Sequence, residues 1–474
     1  MDRLDFENFD DEFDEPRRDD QKTEEEIQKL SEQLKAEKSG STNIEALEEI
    51  AYFYFERQKY TEAFDYFDRL LEFVPYNSDI WLRRGTILNH LHRFEEALES
   101  FERAQMLNPN DPDICIGYAY ALENIGRMED ALNWYDQAIK LDEQNYDALF
   151  MKALSLERLD RFDDAIKILK SILLENPLHK EAIYELGFCY ECLDRFDDAL
   201  NCYNQHIDLD PFNYTAWYNR GIVLNRKNSF VHAIESYDFA LAIKEDFPSA
   251  WYNKGNTFAN MGRLHDAVDC YRMTIRFDGA DVPAWHNLGN AYEELGMYKL
   301  AIKCFTQAIK LDPKHYESFF GRGSCYDSIE NYQKAYNDYS TALLLCKDYP
   351  ELWYAKADAA YNLGKWREAL YSYKMAVRWD PTNLSAWFDL GETLLEFGYF
   401  KEALNAFNQC IELNPNWADP YYDRAKVLFL MRKTFDALES LKRSFQLDPA
   451  KKNEFEEEFP GVRSIKEFTY LLEK

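Results

Sequence analysis

A strict 34-residue period runs through most of this chain and limits the folds available to it more than any other feature. The frame begins at Ile44 and continues through Lys451 without an insertion, which makes twelve repeats. The twentieth residue of every repeat is alanine, from Ala63 to Ala437, and the eighth is always glycine or alanine. A chain with such a period forms one supersecondary unit per repeat and stacks each unit on its neighbours.

Each repeat carries two apolar stripes at helical spacing, followed in eight repeats by proline at position 32. In the eighth repeat these residues are Trp285, Leu288, Tyr292, Ala301, Phe305, Ala308 and Pro313. Small residues at positions 8 and 20 predict that two helices cross closely, with Gly289 opposite Ala301. Proline ends the second helix, because it cannot donate the next backbone hydrogen bond. Each repeat is therefore predicted to be an antiparallel helix hairpin.

These residues resemble the tetratricopeptide repeat family, whose pattern is W-x2-L-G-x2-Y, then A-x3-F-x2-A, then P. The resemblance covers residues 44–451 as twelve repeats. It implies an all-α fold, a right-handed α-solenoid of stacked antiparallel helix hairpins. It also implies that the first helices line an inner groove, where members of the family usually bind peptides or protein segments. The function class that the resemblance implies is a scaffold or adaptor.

The segments outside the repeats are predicted to be a tail and two caps. Residues 1–22 are rich in acids and predicted to be a disordered tail. Residues 23–43 are predicted to form an N-terminal capping helix and a hinge, since Thr23 and Glu26 make a capping box. Residues 452–474 are predicted to form C-terminal capping helices. The final apolar stripe consists of Ile465, Phe468, Leu471 and Leu472, and a docking helix for a partner or a second copy is the alternative.

Charge and motifs exclude several functions. The formal net charge is −31, which argues against nucleic acid and anionic membranes as partners, because both require basic surfaces. The sequence has no phosphate-binding, nucleophile-elbow or zinc-protease motif, and its eight histidines are scattered. The nine cysteines fall mostly on packing positions, which is typical of buried thiols in a reducing compartment. We therefore predict a cytoplasmic, non-enzymatic protein without cofactor, metal site or small-molecule substrate.

The acids concentrate on one side of the first helices. Positions 2, 5, 6, 9, 12 and 13 of each repeat lie opposite the packed side of a 3.6-residue helix, and we call them the first-helix face. Over twelve repeats this face holds 23 acids and 4 bases. Such a charged surface attracts cationic segments. The alternative is a solvated helix face, since the acids at position 2 also stabilise the helix N-termini.

Asparagines and aromatic residues interrupt the acids on this face. The asparagine run resembles the ladder in the superhelix of O-linked N-acetylglucosamine transferases, although no catalytic domain follows it here; the alternative is that asparagine is simply common at this position of the family. Aromatic rings at position 5 suit lysine or arginine side chains. The predicted peptide-binding residues are Glu48, Glu49, Tyr184, Glu185, Tyr218, Asn219, Tyr252, Asn253, Asn256, Asn287, Asn290, Tyr354, Asp389 and Asp423.

These features predict a non-enzymatic interaction scaffold that binds other proteins through basic or extended segments in an acidic, aromatic-lined concave groove. The alternative is a structural assembly subunit that oligomerises through its apolar C-terminal helix, so self-association stays open.

Overall fold

The computed structural model describes residue 24, residues 26–32, residue 34 and residues 44–459. The predicted acidic tail, the predicted hinge at residues 39–43 and the apolar stripe of residues 465–472 lie outside these residues. The regular elements within the described ranges are all α-helices. The first helices of the twelve repeats are Ile44–Glu56, Ser78–His90, Pro112–Asn124, Tyr146–Arg158, Lys180–Cys192, Tyr214–Arg226, Pro248–Asn260, Val282–Glu294, Tyr316–Ser328, Pro350–Asn362, Leu384–Glu396 and Ala418–Leu430.

The second helices alternate with the first helices along the chain. They are Tyr60–Phe73, Phe94–Leu107, Met128–Leu141, Phe162–Glu175, Phe196–Leu209, Phe230–Ile243, Leu264–Phe277, Tyr298–Leu311, Tyr332–Leu345, Trp366–Trp379, Phe400–Leu413 and Thr434–Leu447. A shorter helix, Ala450–Glu458, follows the last repeat. The chain divides into two compact bodies, an N-terminal body up to Asn228 and a C-terminal body from Ser229. Within each body successive helices pack on one another, so the fold is an all-α solenoid.

The turn inside each hairpin has one conformation throughout the described repeats. Position 15 has a positive φ in all twelve, and only five of these residues are glycine, the first being Gly126 with φ of 84°. The other seven are Gln58, His92, Asp160, Asp194, Asn228, Glu330 and Arg432. The left-handed conformation costs free energy for any residue other than glycine. The packing of the two helices therefore imposes this turn on the sequence.

The start of most first helices is fixed by the last residue of the preceding repeat. The side chain of Asn145 accepts a 2.8 Å hydrogen bond from the backbone N–H of Ala148, and Asp281 accepts one of 2.7 Å from Ala284. These side chains satisfy N–H groups that have no partner inside the helix. The tryptophans at position 4 bind the same connection, because Nε1–H of Trp285 donates to the carbonyl of Gly279 at 3.0 Å.

The small residue at position 8 makes room for an aromatic ring. A Cβ added at Gly289 would lie 2.6 Å from the ring of Phe305, and one added at Gly255 would lie 2.8 Å from the ring of Tyr271. The prediction placed Ala301 opposite Gly289, but the nearest atoms belong to Phe305. The close approach of the two helices is therefore filled by an aromatic side chain at position 24.

Both ends of the repeat array have helical residues packed on them. Ile27 and Leu34 are buried in the same cluster as the core of the first repeat, and the hydroxyls of Ser31 and Tyr66 lie 2.7 Å apart. At the other end, Phe455 is buried against Tyr422 of the twelfth repeat. These contacts supply apolar neighbours to the terminal hairpins, which a repeat cannot supply to itself.

Candidate functional site: the first-helix face

Hydrogen bonds between position 5 of one repeat and position 6 of the next join several pairs of successive first helices. In the N-terminal body, Nδ2 of Asn219 donates to the hydroxyl of Tyr184 at 2.8 Å. In the C-terminal body, Nδ2 of Asn287 donates to the hydroxyl of Tyr252 at 3.0 Å, and the hydroxyl of Tyr354 donates to Asp389 at 2.6 Å. The polar ends of these tyrosines therefore bind neighbouring repeats.

The aromatic residues at position 5 are more enclosed than the sequence predicts. Tyr184, Tyr218, Tyr252 and Tyr354 are half-buried, and Phe150 is only 9% exposed. The ring centroid of Tyr184 lies 5.9 Å from that of Tyr203 on the second helix of the same repeat. The interpretation that aromatic rings at position 5 suit lysine or arginine side chains is wrong for Phe150, because this side chain packs in the core.

The asparagines of the C-terminal body form a network with each other and with tyrosines. Nδ2 of Asn287 also donates to Oδ1 of Asn256 at 3.0 Å, and that oxygen accepts a 2.8 Å bond from the hydroxyl of Tyr271. Asn253 is half-buried on the same face. The ladder suggested by the sequence therefore uses amide groups to join the helices, since both hydrogens of the Asn287 amide are engaged within the protein.

A histidine pair that was not among the predicted site residues lies beside this network. Nδ1 of His286 lies 3.1 Å from the Ser318 hydroxyl, which lies 2.9 Å from Nδ1 of His315. Nδ2 of Asn290 lies 3.0 Å from Nε2 of His286. Burial, followed by the proximity of His315, lowers the pKa of His286 to about 4. His286 is therefore neutral at physiological pH. Histidine at position 5, where tyrosine or phenylalanine is usual, was the signal in the sequence.

Five acids of the first-helix face are buried, which corrects the prediction that the acids of this face line an open groove. They are Glu123, Glu157, Glu185, Glu191 and Asp423, with exposures of 2% to 7%. Glu185 and Asp423 were among the predicted contact residues, and their burial means that they do not present open carboxylates.

Glu123 and Glu157, both at position 12, are buried against the next first helix. The hydroxyl of Ser155 and Nη1 of Arg158, the latter at 3.1 Å, both donate to Glu123 of the preceding repeat. Oε1 of Glu157 lies 3.1 Å from Sγ of Cys189, again one repeat on. Burial raises the pKa of Glu123 although Ser155 and Arg158 oppose the shift. These acids therefore contribute to contacts between repeats rather than to an open surface.

The first repeat does present open acids. Glu45, Glu48 and Glu49 are all exposed on the helix Ile44–Glu56. Glu45 lies in the first turn of that helix, where a carboxylate also interacts favourably with the helix dipole. Glu48 and Glu49 lie after the first turn of the helix. The interaction with the helix dipole is weaker there, so it explains the presence of these two acids less well.

A group of carboxylates lies on three successive first helices of the C-terminal body. Asp358 belongs to the tenth repeat, Asp389 and Glu392 to the eleventh and Asp423 to the twelfth. Glu392 is exposed, whereas Asp358 and Asp389 are half-buried. Nζ of Lys426 lies 3.2 Å from Oδ1 of Asp423. We call these four acids the acidic group.

Burial, with a smaller contribution from neighbouring charges, raises the pKa of two members of the acidic group. Loss of solvent raises the pKa of Glu392 to about 7, and the charges of Asp423 and Asp389 add to the effect. Burial raises the pKa of Asp358 to about 7 as well, against the hydrogen bond that the Tyr373 hydroxyl donates to it at 2.5 Å. These carboxyls hold protons near neutrality because burial, and to a smaller extent the nearby negative charges, disfavour their ionised form.

Other chemical roles have little basis in the described residues. Within them, no three His, Cys, Asp or Glu side chains gather so that they could hold a metal ion. All nine cysteines belong to this part of the chain and are free thiols, seven of them buried. None of the helices in the described ranges is long and apolar enough to cross a membrane.

Repeated helix hairpins joined through their first helices define the class of helical repeat proteins. Profiles of the tetratricopeptide repeat match residues 282–315, 156–219, 193–248, 354–416 and 248–275. A profile of the TPR domain of cytochrome c-type biogenesis protein H matches residues 71–183. The chain belongs to the tetratricopeptide repeat family. Proteins of this family are generally non-catalytic scaffolds that bind other proteins or peptides.

Several solved structures are similar to parts of this chain. YrrB, described as a TPR protein with an unusual peptide-binding site, is 23% identical over 38% of this chain and 94% of its own, with a TM-score of 0.37. MamA is 18% identical over 35% of this chain and 97% of its own, with a TM-score of 0.34. The C-terminal part of a TPR protein from Cytophaga hutchinsonii is 20% identical over 50% of this chain and 97% of its own, with a TM-score of 0.45. No curated protein matches the sequence.

Proposed function

We propose that this chain is a non-enzymatic scaffold that binds a basic, extended polypeptide segment along its first-helix face. The observation that carries the proposal is the acidic group of repeats ten to twelve. Its four carboxylates lie on three successive first helices, and Lys426 is the base of the first-helix face in these repeats. An arginine or lysine of a partner would stabilise the ionised forms of Asp358 and Glu392, whose pKa values are raised by burial and, to a smaller extent, by neighbouring carboxylates.

The position of Lys426 supports this mode of binding. Its Nζ lies 4.4 Å from the centroid of the Tyr422 ring and 3.2 Å from Oδ1 of Asp423. A cation is thus held between an aromatic face at position 5 and a carboxylate at position 6. The two preceding repeats also combine an aromatic residue at position 5 with an acid of the first-helix face. These pairs are Tyr354 with Asp389 and Phe388 with Glu392. Cation–π contacts of this kind contribute about 0.5–1 kcal/mol at exposed sites.

The predicted contact residues contribute unequally to the proposal. Glu48 and Glu49 would supply exposed carboxylates in the N-terminal body. Asn219, Asn256 and Asn287 would mainly hold neighbouring helices together. They would contact a partner only through amide atoms that are not already hydrogen-bonded within the protein. Tyr218, Asn253 and Asn290 stay proposed contacts. Glu185 and Asp423, being buried, would act through their charge alone. The cytoplasmic location predicted from the cysteine pattern is part of this proposal.

A fluorescently labelled peptide of alternating arginine, glycine and serine tests the proposal by anisotropy. At pH 8, above the pKa of about 7 of Glu392, Glu392→Gln removes an exposed charge from the acidic group, and Glu412→Gln makes the same change at an exposed position on the second helix of the same repeat. We expect Glu392→Gln to weaken binding about three- to tenfold and Glu412→Gln to leave it nearly unchanged, because charges act most strongly at contact.

The dependence of affinity on ionic strength gives a second test in the same experiment. Affinity should fall steeply between about 0.01 M and 0.15 M salt, as the screening length shortens from roughly 30 Å to 8 Å. Equal losses in the two variants would mean that the peptide responds only to the net charge. Binding that is absent, or insensitive to salt, would contradict the proposal.

A further inference from the structure

Aromatic side chains gather at the hairpin turns of repeats ten and eleven. The ring centroid of Trp366, at position 17 of the tenth repeat, lies 5.3 Å from that of Phe397 and 5.1 Å from that of Tyr361. Tyr399 follows Phe397 by two residues, in the turn of the eleventh repeat. The side chains of Trp366, Phe397 and Tyr399 are 38%, 39% and 53% exposed. We call these three residues the turn cluster.

Two members of the turn cluster differ from their equivalents in other repeats. Trp366 is exposed, whereas the other eleven residues at position 17, all in the described part of the chain, are half-buried. Tyr399 stands at position 16, where eight of the twelve repeats have lysine or arginine. In five repeats that base forms an ion pair with the acid three residues later. In the eleventh repeat the equivalent acid, Glu402, pairs with Lys374 of the tenth repeat instead. Exposed apolar side chains that gather in this way mark an interaction surface.

The turn cluster adjoins the acidic group through the first helix of the eleventh repeat. Glu392 of the acidic group and Glu396 are both exposed, and they lie one helical turn apart. The Tyr361 hydroxyl donates to the two carboxylate oxygens of Glu396 at 3.0 and 3.1 Å, and Glu396 is followed directly by Phe397. A surface that combines carboxylates with exposed aromatic rings is complementary to a segment that combines bases with bulky apolar side chains.

We propose that the turn cluster receives a large apolar side chain from the same segment whose bases bind the acidic group, an inference that rests on the proposed function. Phe397 follows Glu392 by five residues, which is about 7–8 Å along the helix axis. An extended polypeptide advances about 3.3–3.6 Å per residue, so the base and the apolar residue of the partner would be about two to four residues apart. The partner is therefore defined by a spacing as well as by its charge.

Three labelled peptides test the proposal by anisotropy with the full chain at pH 8 and low ionic strength. Each consists of glycine and serine with three adjacent arginines. The near peptide has a phenylalanine three residues after the arginines, the far peptide has it ten residues after them, and the third has serine instead. We expect the near peptide to bind about five- to tenfold more tightly than the serine peptide, because it buries an apolar side chain. The far peptide should lose most of this gain, since a longer flexible connection lowers the effective concentration.

Variants of the protein separate the turn cluster from the acidic group. Tyr399→Ser should remove most of the gain that the phenylalanine gives, whereas Glu392→Gln should weaken the binding of all three peptides. Tyr371→Ser is the matched control, because Tyr371 is an exposed tyrosine on the second helix of the tenth repeat. It should leave the affinities of all three peptides unchanged.

Photochemical cross-linking locates the apolar side chain on the unaltered protein. A near peptide with benzoylphenylalanine in place of phenylalanine should attach to Trp366 or to residues 396–400, as read by mass spectrometry of the digested complex. Attachment there, together with the gain from the near peptide, supports the proposal. Attachment elsewhere overturns it.

The remaining outcomes distinguish this inference from the proposed function. A serine peptide that binds as strongly as the near peptide overturns the inference and leaves the proposed function standing; a turn cluster covered by another segment of this chain or by a second copy would give this result. Equal gains from the near and far peptides, or a gain that Tyr399→Ser does not reduce, also overturn the inference. If none of the three peptides binds, the proposed function itself is contradicted.

Discussion

The hydroxyl of Tyr354 donates a 2.6 Å hydrogen bond to Oδ2 of Asp389, a residue of the following repeat. The same separation of 35 residues joins Tyr184 to Asn219 and Tyr252 to Asn287. A first helix is thus connected to the next by a polar contact on the face proposed to bind a partner. Changes that alter binding on this face therefore also affect the packing between repeats, and experiments need to separate the two.

Replacing Tyr354 by phenylalanine should destabilise the C-terminal body by about 1–2 kcal/mol, because a half-buried carboxylate loses a hydrogen bond. Burial already raises the pKa of Asp389, and the Tyr354 hydroxyl opposes that shift. The variant should therefore raise the pKa further. Carboxyl NMR titration would measure it, with Tyr371→Phe, an exposed tyrosine of the same repeat, as the control. An unchanged Asp389 titration would show that the contact is not maintained in solution.

Asp358→Asn should stabilise the protein at pH 8. The folded-state pKa is about 7, against an ordinary value of 3.8. The folded protein therefore binds more protons than the unfolded chain between these values, and stability falls as the pH rises through this window. Asparagine removes the charge but still accepts from the Tyr373 hydroxyl. We expect a gain of about 2 kcal/mol, after allowance for solvent near a partly exposed carboxyl.

Urea denaturation at pH 5 and pH 8 would measure the effect of Asp358→Asn. The gain should be present at pH 8 and much smaller at pH 5, where the native carboxyl is already protonated. Glu412→Asn serves as a control with similar loss of charge at an exposed site. A gain that is equal at both pH values would mean that charge repulsion is not its cause.

His286 should make the C-terminal body sensitive to mild acid. Its folded-state pKa of about 4 lies below the ordinary value of 6.5, so the unfolded chain binds the extra proton first. The stability due to neutral His286 is complete above pH 6.5 and is lost as the pH falls towards 4, by about 2–3 kcal/mol. His286→Phe, a residue found at position 5 of the ninth and eleventh repeats, should remove this part of the pH dependence.

The pH profile of unfolding free energy from 4 to 8 measures the contribution of His286. The exposed His265, changed to glutamine, provides the control and should leave the profile unaltered. If the profiles of the parent and His286→Phe run parallel, His286 is not the group that titrates.

Removing a glycine from a hairpin turn and introducing one should change the stability of the protein in opposite directions. Gly296 has a φ of 70°, and an added Cβ would have nothing within 4 Å, so Gly296→Ala tests conformational strain alone. We expect a loss of about 1 kcal/mol. Glu330 has a φ of 58° without being glycine. Glu330→Gly should be neutral or stabilising by up to about 1 kcal/mol, because relief of strain is offset by the entropy of glycine. Thermal and urea unfolding would measure both; a loss from Glu330→Gly would mean that its side chain stabilises the turn.

The sequence by itself determined the repeat, the class of fold and the two helices per repeat. These properties follow from local patterns that recur along the chain, so the small residue Gly289 is checked by eleven equivalents, Pro313 by seven and Trp285 by five. The prolines after the second helices and the asparagine or aspartate caps before the first helices act over a few residues. Such short-range signals can be interpreted without knowing what packs where.

Only the tertiary structure decided which members of the first-helix face are open. Glu48 and Glu123 both lie on that face by helical geometry, yet Glu48 is exposed and Glu123 is 3% exposed. The difference arises because Ser155 and Arg158 of the next repeat cover Glu123. A helical periodicity describes the direction of a side chain around its own axis. Its exposure depends on side chains about 32 to 35 residues away in sequence, and packing alone brings these together.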